Sequence, residues 1–116
     1  MSNKDARSKA DVLQGTLDLM VLQTLDSLGA LHGYAIAARL EQVSGGALQL
    51  NMGTLYPALM RLEQRGLVLG NWGITDTHRK ARFYALTPAG RRQLAKETQA
   101  WDRMAGIIHT LVHGGT

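Results

Sequence analysis

The chain has 116 residues, the length of a single domain, and 45% of them are hydrophobic, which is usual for a globular protein. It contains no cysteine, and this excludes disulfide bonds, thiolate metal sites and cysteine nucleophiles. The net charge is +4, but residues 1–76 hold six Lys and Arg against seven Asp and Glu, whereas residues 77–116 hold seven against two. A basic surface on a small domain favours a polyanionic partner.

The location in the cell is predicted from three absences. No apolar run approaches the ~18 residues of a membrane span. Residues 1–11 are polar and charged, unlike a signal peptide, and we interpret them as a flexible arm. Together with the lack of cysteine, these features predict a cytoplasmic protein with no membrane partner.

The first two predicted helices cover residues 12–28 and 34–43. The first is apolar on more than one side, which predicts that it packs against its own core and against a second surface. Gly29 ends it, and residues 31–34 form a short connection. Ser44 and the two glycines after it end the second helix.

A third helix is predicted over residues 51–66. Leu55, Leu59 and Leu62 recur at i, i+4 and i+7 and form one apolar face. Asn51 is a candidate N-cap and Gly66 a candidate for the residue after the helix end. The opposite face is polar and carries Thr54, Tyr56, Pro57, Arg61 and Arg65. Pro57 removes one backbone hydrogen bond and should bend the first turn.

The hydrophobic period then changes from 3.6 to 2. Residues 67–72 and 81–86 are strand-like, and the polar residues 73–80 between them predict a hairpin with a basic tip. A last helix begins with Thr87 as N-cap and Pro88 at the first helical position, and can extend to about residue 112. A heptad-type apolar seam runs along it through Leu94, Thr98, Trp101, Ala105, Ile108 and Val112, with Met104 and Leu111 beside it.

Three helices, a hairpin and a long helix predict a mainly α fold with a small β-hairpin. This is a winged helix-turn-helix over residues 12–87, followed by a C-terminal dimerisation helix and short tail over residues 88–116. In such a fold the third helix enters the major groove of DNA, and the hairpin, or wing, lies along an adjacent groove or phosphate row.

The predicted DNA contacts follow from this arrangement. A helix N-terminus offers free N–H groups to phosphate, hydroxyl groups bind phosphates or base edges, and guanidinium groups reach phosphate or guanine. Tyr34 can reach a phosphate or pack beneath the third helix, and the two alternatives are equally compatible with the sequence. The wing cations can also be merely solvated. The candidates are Tyr34, Asn51, Thr54, Tyr56, Pro57, Arg61, Arg79, Lys80 and Arg82.

Catalysis and cofactor binding are not predicted. The sequence has no glycine-rich phosphate loop, no Gly-x-Ser-x-Gly and no carboxylate pair in a known motif. His109 and His113 have metal-competent spacing, but stabilisation of a helix C-terminus explains them better, so we predict no metal site. Two alternatives stay open: a metal-responsive regulator, and a winged-helix module that binds an acidic protein instead of DNA.

Several motifs in order give the sequence a specific resemblance over residues 12–101. They are Leu13-Gln14-Gly15-Thr16-Leu17-Asp18, His32-Gly33-Tyr34, Gly53-Thr54-Leu55-Tyr56-Pro57-Ala58-Leu59, Arg61-Leu62-Glu63 with Gly66-Leu67, and Tyr84-Ala85-Leu86-Thr87-Pro88-Ala89-Gly90. These resemble the PadR family of transcriptional regulators. The resemblance implies a homodimer that binds a pseudo-palindromic operator in double-stranded DNA, usually as a repressor, and releases it when a small, often aromatic, effector binds.

The resemblance also implies dimerisation through the last helix with help from the first. The corresponding candidates are Leu17, Leu94, Trp101, Met104, Ile108 and Leu111. Longer members of the family carry a further effector domain, whereas only one helix follows the wing here. Any effector would therefore sit at the dimer interface, where Trp101 is the candidate contact.

Overall fold

A computed structural model of the protein describes residues 14–114, so the predicted arm at residues 1–11 lies outside the described residues. The fold is a winged helix-turn-helix followed by a long helix, as predicted from the sequence. Its elements are α1 (Gln14–Leu28), β1 (Leu31–His32), α2 (Gly33–Val43), α3 (Met52–Gln64), β2 (Val68–Ile74), β3 (Lys80–Leu86), α4 (Pro88–His109) and a π-helical turn at Thr110–Gly114.

The wing belongs to a three-stranded antiparallel sheet with the strand order β1-β3-β2. We expected residues 31–34 to be a simple connection, but Leu31 pairs with Tyr84 and His32 pairs with Phe83. A two-residue strand is too short to produce a period of two in the sequence. Only its partner, about fifty residues later in the chain, makes it a strand.

The core lies where the three short helices meet the base of the wing. Leu55, Leu59 and Leu62 of α3 are completely buried, which confirms the predicted apolar face. Burying a leucine side chain stabilises the fold by about 1.5–3 kcal/mol. Leu17 is 3% exposed and Leu94 is 7% exposed. Both are used by the chain's own core, so we remove them from the predicted dimer interface.

The ends of α3 are those predicted from the sequence. The side-chain oxygen of Asn51 accepts a hydrogen bond from the backbone N–H of Thr54 at 2.9 Å, as an N-cap does. At the other end Gly66 has a φ of 73°, a conformation that favours glycine, and its N–H donates to the carbonyl oxygen of Glu63. These two residues fix where the exposed face of α3 starts and stops.

The wing is joined to α4 by a close backbone contact. Thr87 caps α4 by accepting a hydrogen bond from the N–H of Gly90 at 3.0 Å, and its hydroxyl donates to the carbonyl oxygen of Gly66 at 2.6 Å. A Cβ atom on Gly90 would overlap the carbonyl oxygen of Leu67. Glycine is therefore required for α4 to begin this close to the end of α3.

None of the helices within residues 14–114 has the length and apolar character needed to cross a bilayer.

The contact at Gly90 gives a stability prediction. Gly90→Ala should lower the free energy of unfolding by about 1–3 kcal/mol, because backbone atoms must move to relieve the overlap. Gly106→Ala is the matched control: it lies in the same helix, nothing surrounds its Cβ position, and alanine should stabilise a helix interior by about 0.5–1 kcal/mol. Urea unfolding followed by circular dichroism measures both. Equal stabilities of the two variants would contradict the contact.

Candidate nucleic-acid interface

A cleft of about 810 Å³ separates the N-terminal half of α3 from the inner face of the wing. Tyr34 at the start of α2 and Tyr56 of α3 line one side. Trp72, Arg79 and Lys80 of the wing line the other. The cleft thus combines aromatic surface with positive charge, and it brings together five residues that are far apart in the sequence.

The first turn of α3 is held in place by its cap. The Asn51 side-chain oxygen accepts from the hydroxyl of Thr54 at 3.2 Å as well as from its N–H. The NH₂ group of Asn51 takes no part in this cap and is a donor for a ligand. Pro57 lies inside the helix on its exposed side, and its lack of an N–H frees the carbonyl oxygen of Gly53.

The two tyrosines of the cleft differ in how they are held. Tyr34 is 66% exposed, which excludes the alternative that it packs beneath α3. Tyr56 is less exposed and lies against the start of α2, where a Cβ atom on Gly33 would be 3.1 Å from its hydroxyl oxygen. Glycine at position 33 therefore allows α3 to approach α2 at this point.

Arg61 does not face the cleft. Its Nη2 donates to the carboxylate of Asp18 at 3.2 Å, and the Asp18 side chain is only 8% exposed. Burial raises the pKa of this carboxyl group, and the positive charge of Arg61 opposes that rise. Arg61 therefore joins α3 to α1, and its contact with DNA stays a prediction.

Arg82 is also paired with an acid, although it lines the cleft and its side chain is 38% exposed. Its Nη2 donates to the carboxylate of Glu63 on α3 at 2.5 Å, and its guanidinium carbon lies 6.0 Å from the centre of the Tyr84 ring. The charge of Arg82 is thus partly compensated by Glu63, and its contact with DNA stays a prediction. This pairing could not be predicted from the sequence, because Glu63 and Arg82 are 19 residues apart.

The remaining wing cations are free of acidic partners. Within residues 14–114 there are three ion pairs, and neither Arg79 nor Lys80 belongs to them. Both side chains are exposed. The tip is ordered by Thr75, whose hydroxyl accepts from the N–H of Arg79 at 3.1 Å and whose carbonyl oxygen accepts from His78 at 2.9 Å. Two uncompensated charges are therefore presented at a defined end of the cleft.

Trp72 is the largest of the cleft residues that the sequence prediction omitted, which also include His32, Thr75, Thr77, Ala81 and Tyr84. It pairs with Arg82 in the β2–β3 register, and Ile74 pairs with Lys80. A signal was available, since side chains two residues apart share a face of a strand, but the register had to be known before Trp72 could be assigned to the inner face.

The second half of α4 and the π-helical turn that continues it expose an apolar band, called here the apolar band of α4. Trp101, Met104, Ile108 and Leu111 are each more than half exposed. Near Trp101 an apolar groove of about 410 Å³ runs between α1 and α2, with Leu19, Met20 and Val43 among its lining residues. An exposed apolar helix end and an apolar groove therefore lie close together on this side of the described chain.

His109 and His113 lie side by side at the end of α4, with ring centres 4.7 Å apart. No cluster of three or more potential metal-binding side chains occurs within the part of the chain that the structure describes.

Comparison with known proteins decides the family. Residues 21–96 match the model of the transcriptional regulator PadR-like family. The chain belongs to this family. PadR-like proteins are a class of DNA-binding transcriptional regulators, and such regulators are generally not enzymes.

Two relatives illustrate the similarity of sequence. An uncharacterized 37.1 kDa protein in transposon TN4556 of Streptomyces fradiae is 45% identical over 80 residues, which are 69% of this chain and 21% of that protein. The chain thus spans about a fifth of that relative's length. The transcriptional regulator Rv3488 of Mycobacterium tuberculosis is 35% identical over 79 residues, 64% of this chain and 73% of that protein.

Solved structures show the same fold. A transcriptional regulator from Clostridium thermocellum has a TM-score of 0.78 and 26% identity, with coverage of 89% of this chain and 99% of that one. A PadR-like regulator from Bacillus cereus has a TM-score of 0.76 and covers 90% of this chain and 98% of that one. Because the sequence identity is only 23%, this match shows a shared fold and nothing more.

The buried carboxyl group gives a prediction for pH. Because the pKa of Asp18 is raised above 3.8 in the folded state, the folded protein binds this proton more tightly than the unfolded chain does. The free energy of unfolding should therefore fall as the pH rises through the folded-state pKa. Asp18→Asn should remove this fall, as measured by urea unfolding at a series of pH values.

The control for Asp18→Asn is Asp76→Asn, which removes an exposed carboxylate from the wing tip. It should keep the pH dependence of the unsubstituted protein. A fall of the same size in Asp18→Asn would show that another group is responsible.

Proposed function

We propose that this PadR-like protein is a dimeric, sequence-specific DNA-binding regulator that acts as a repressor and leaves its operator when a small molecule binds. The observation that carries the proposal is the cleft between α3 and the wing, with two uncompensated cations at one end. The backbone of one strand of duplex DNA suits this cleft in charge, because the duplex carries one negative charge per ~1.7 Å of helix axis.

In this proposal α3 reads the major groove with its N-terminal half. The first turn of a helix carries free N–H groups and the positive end of the helix dipole, both of which favour phosphate. Asn51, Thr54 and Tyr56 then supply donors and acceptors for phosphates and base edges. Pro57 adds a rigid apolar surface beside them, and Tyr34 approaches the backbone from α2.

The wing supplies affinity that does not depend on sequence. Arg79 and Lys80 neutralise phosphates beside the groove that α3 enters, and counterions leave the DNA as they bind. Arg61 holds α3 against α1, and Arg82 holds the wing against α3.

The dimer rests on the apolar band of α4. A second copy would cover Trp101, Met104, Ile108 and Leu111, and the two-fold symmetry of a closed dimer would give each apolar helix end access to the groove between α1 and α2 of the other copy. Two α3 helices would then enter successive major grooves of a pseudo-palindromic site, about 34 Å apart.

The effector is the most detailed part of the proposal. Trp101 is half exposed and lines the 410 Å³ groove, whose walls are mostly apolar. A flat aromatic compound would stack on such a ring and displace the packing of the dimer. Release of DNA would follow from a change in the separation of the two α3 helices.

The first test is the salt dependence of DNA binding. The DNA is a duplex from upstream of the protein's own gene. The slope of log K against log salt is negative, and the double variant Arg79→Ala/Lys80→Ala should reduce its magnitude by about 1.8, because two phosphate contacts are lost. The control is Arg92→Ala/Lys96→Ala, which removes two exposed charges from α4. Fluorescence anisotropy at several salt concentrations gives the slopes. An unchanged slope in the wing variant would reject the proposed orientation.

The second test is the oligomeric state. The unsubstituted protein should sediment as a dimer, and Ile108→Glu should sediment as a monomer because it places a charge in the apolar band. Leu69→Glu places the same charge on an equally exposed leucine of β2 and should stay dimeric. Sedimentation velocity distinguishes the monomer from the dimer. If Ile108→Glu is still a dimer, the interface does not lie on the apolar band.

A further inference from the structure

We propose that Trp72 packs against the sugar–phosphate backbone of one DNA strand in the cleft and positions Lys80 over the adjacent phosphate. This proposal rests on the proposed function, because it names the part of the DNA that the cleft holds. The proposal adds Trp72 to the DNA-binding surface. This residue carries no charge and would contact no base.

The first support is the exposure of Trp72. This side chain is 65% exposed, although it is among the largest apolar groups in the protein and lies on β2, an edge strand of the sheet. Its face of the sheet is the one that contains the buried Val68 and Tyr84 closer to the core. The apolar inner face of the wing therefore continues outward past the core to the exposed Trp72 and Ile74.

The second support is the cation above the ring. The Nζ atom of Lys80 lies 5.0 Å from the centre of the Trp72 ring, within the range of a cation–π interaction. This contact restricts a flexible lysine side chain before any partner arrives. A lysine ordered in advance loses less conformational entropy when it binds a phosphate.

The third support is the rigid attachment of this strand pair to α3. Arg82, the register partner of Trp72, is held by Glu63 of α3. A Cβ atom on Gly70 would collide with the Arg82 guanidinium, so glycine leaves the room that this side chain occupies. The Trp72 ring is therefore kept at a defined distance from the helix that faces it.

The side chains of the cleft match the chemical groups along one strand of DNA. One strand of DNA presents apolar deoxyribose faces that alternate with phosphates, and the wing presents an apolar ring beside Lys80 and Arg79 in the same order. Tyr34 and Tyr56 offer a ring and a hydroxyl group on the opposite wall. Tyr56 belongs to α3, whose exposed face would enter the major groove of a duplex.

Two consequences separate this role from that of a base-reading residue. Contact with deoxyribose is the same for every sequence, so its loss should weaken specific and unrelated duplexes equally. The contact is uncharged, so its loss should leave the salt slope unchanged, whereas the loss of Lys80 should lower it.

The experiment compares Trp72→Ala, Trp72→Phe, Lys80→Ala and the double variant Trp72→Ala/Lys80→Ala in the full chain. Affinities are measured by anisotropy on the upstream duplex, on an unrelated duplex and on one of its single strands, at two salt concentrations. Leu69→Ala is the matched control, because Leu69 is exposed on the same strand but on the opposite face. Thermal melting followed by circular dichroism checks that each variant is folded.

We expect Trp72→Ala to weaken binding to both duplexes about tenfold with an unchanged salt slope. Trp72→Phe should recover most of this loss, and Leu69→Ala should bind normally. Because Lys80 depends on the ring, the Trp72→Ala substitution should cost less in the Lys80→Ala background than alone.

Three outcomes would overturn the role of Trp72 and leave the proposed function standing: normal duplex binding by Trp72→Ala, an equal loss in Leu69→Ala, or a loss confined to one duplex sequence. Tighter binding of the single strand than of either duplex would also overturn it, since the rings would then stack on bases. If the unsubstituted protein binds no duplex, the proposed function fails as well.

Discussion

The complete burial of one face of α3 is the constraint on which the rest of the molecule depends. Its leucines at positions 55, 59 and 62 have no exposed surface, so the helix cannot rotate without exposing them. Two arginine bridges then fix it further, Arg61 to α1 and Arg82 from the wing. The polar face is consequently held at a constant angle and distance from the wing, which is what a groove-binding helix requires.

The same bridges divide the basic residues into two groups. Those near the core, Arg61 and Arg82, meet carboxylates and act in the architecture. Arg79 and Lys80, beyond the reach of Glu63, meet none of the described acids and keep their charge for a partner. The basic half of the sequence is therefore less available to DNA than its net charge suggests, and the available part is concentrated at one end of one cleft. This concentration supports the proposed interface better than the total charge does.

The apolar band of α4 is the feature on which the proposed dimer depends. The core already contains Leu17 and Leu94, whereas the side chains from Trp101 onward remain exposed. Exposed apolar patches of this kind mark interaction surfaces. A dimer would bury the band and set the spacing of the two α3 helices, so the proposed effector site and the proposed DNA site would be linked through a single helix.

The sequence by itself determined the order of elements, the caps at Asn51 and Thr87, the buried face of α3 and the family. These depend on neighbours within about four residues, or on motifs read in order, and periodicity and cap preferences report them directly. Only the tertiary structure decided that Leu31 and His32 form a strand, that Arg61 and Arg82 pair with Asp18 and Glu63, that Leu17 and Leu94 belong to the core and that Trp72 faces the cleft. Each of these depends on a partner many residues away, and a long side chain at a surface position goes to whichever opposite charge or apolar surface the fold brings near it.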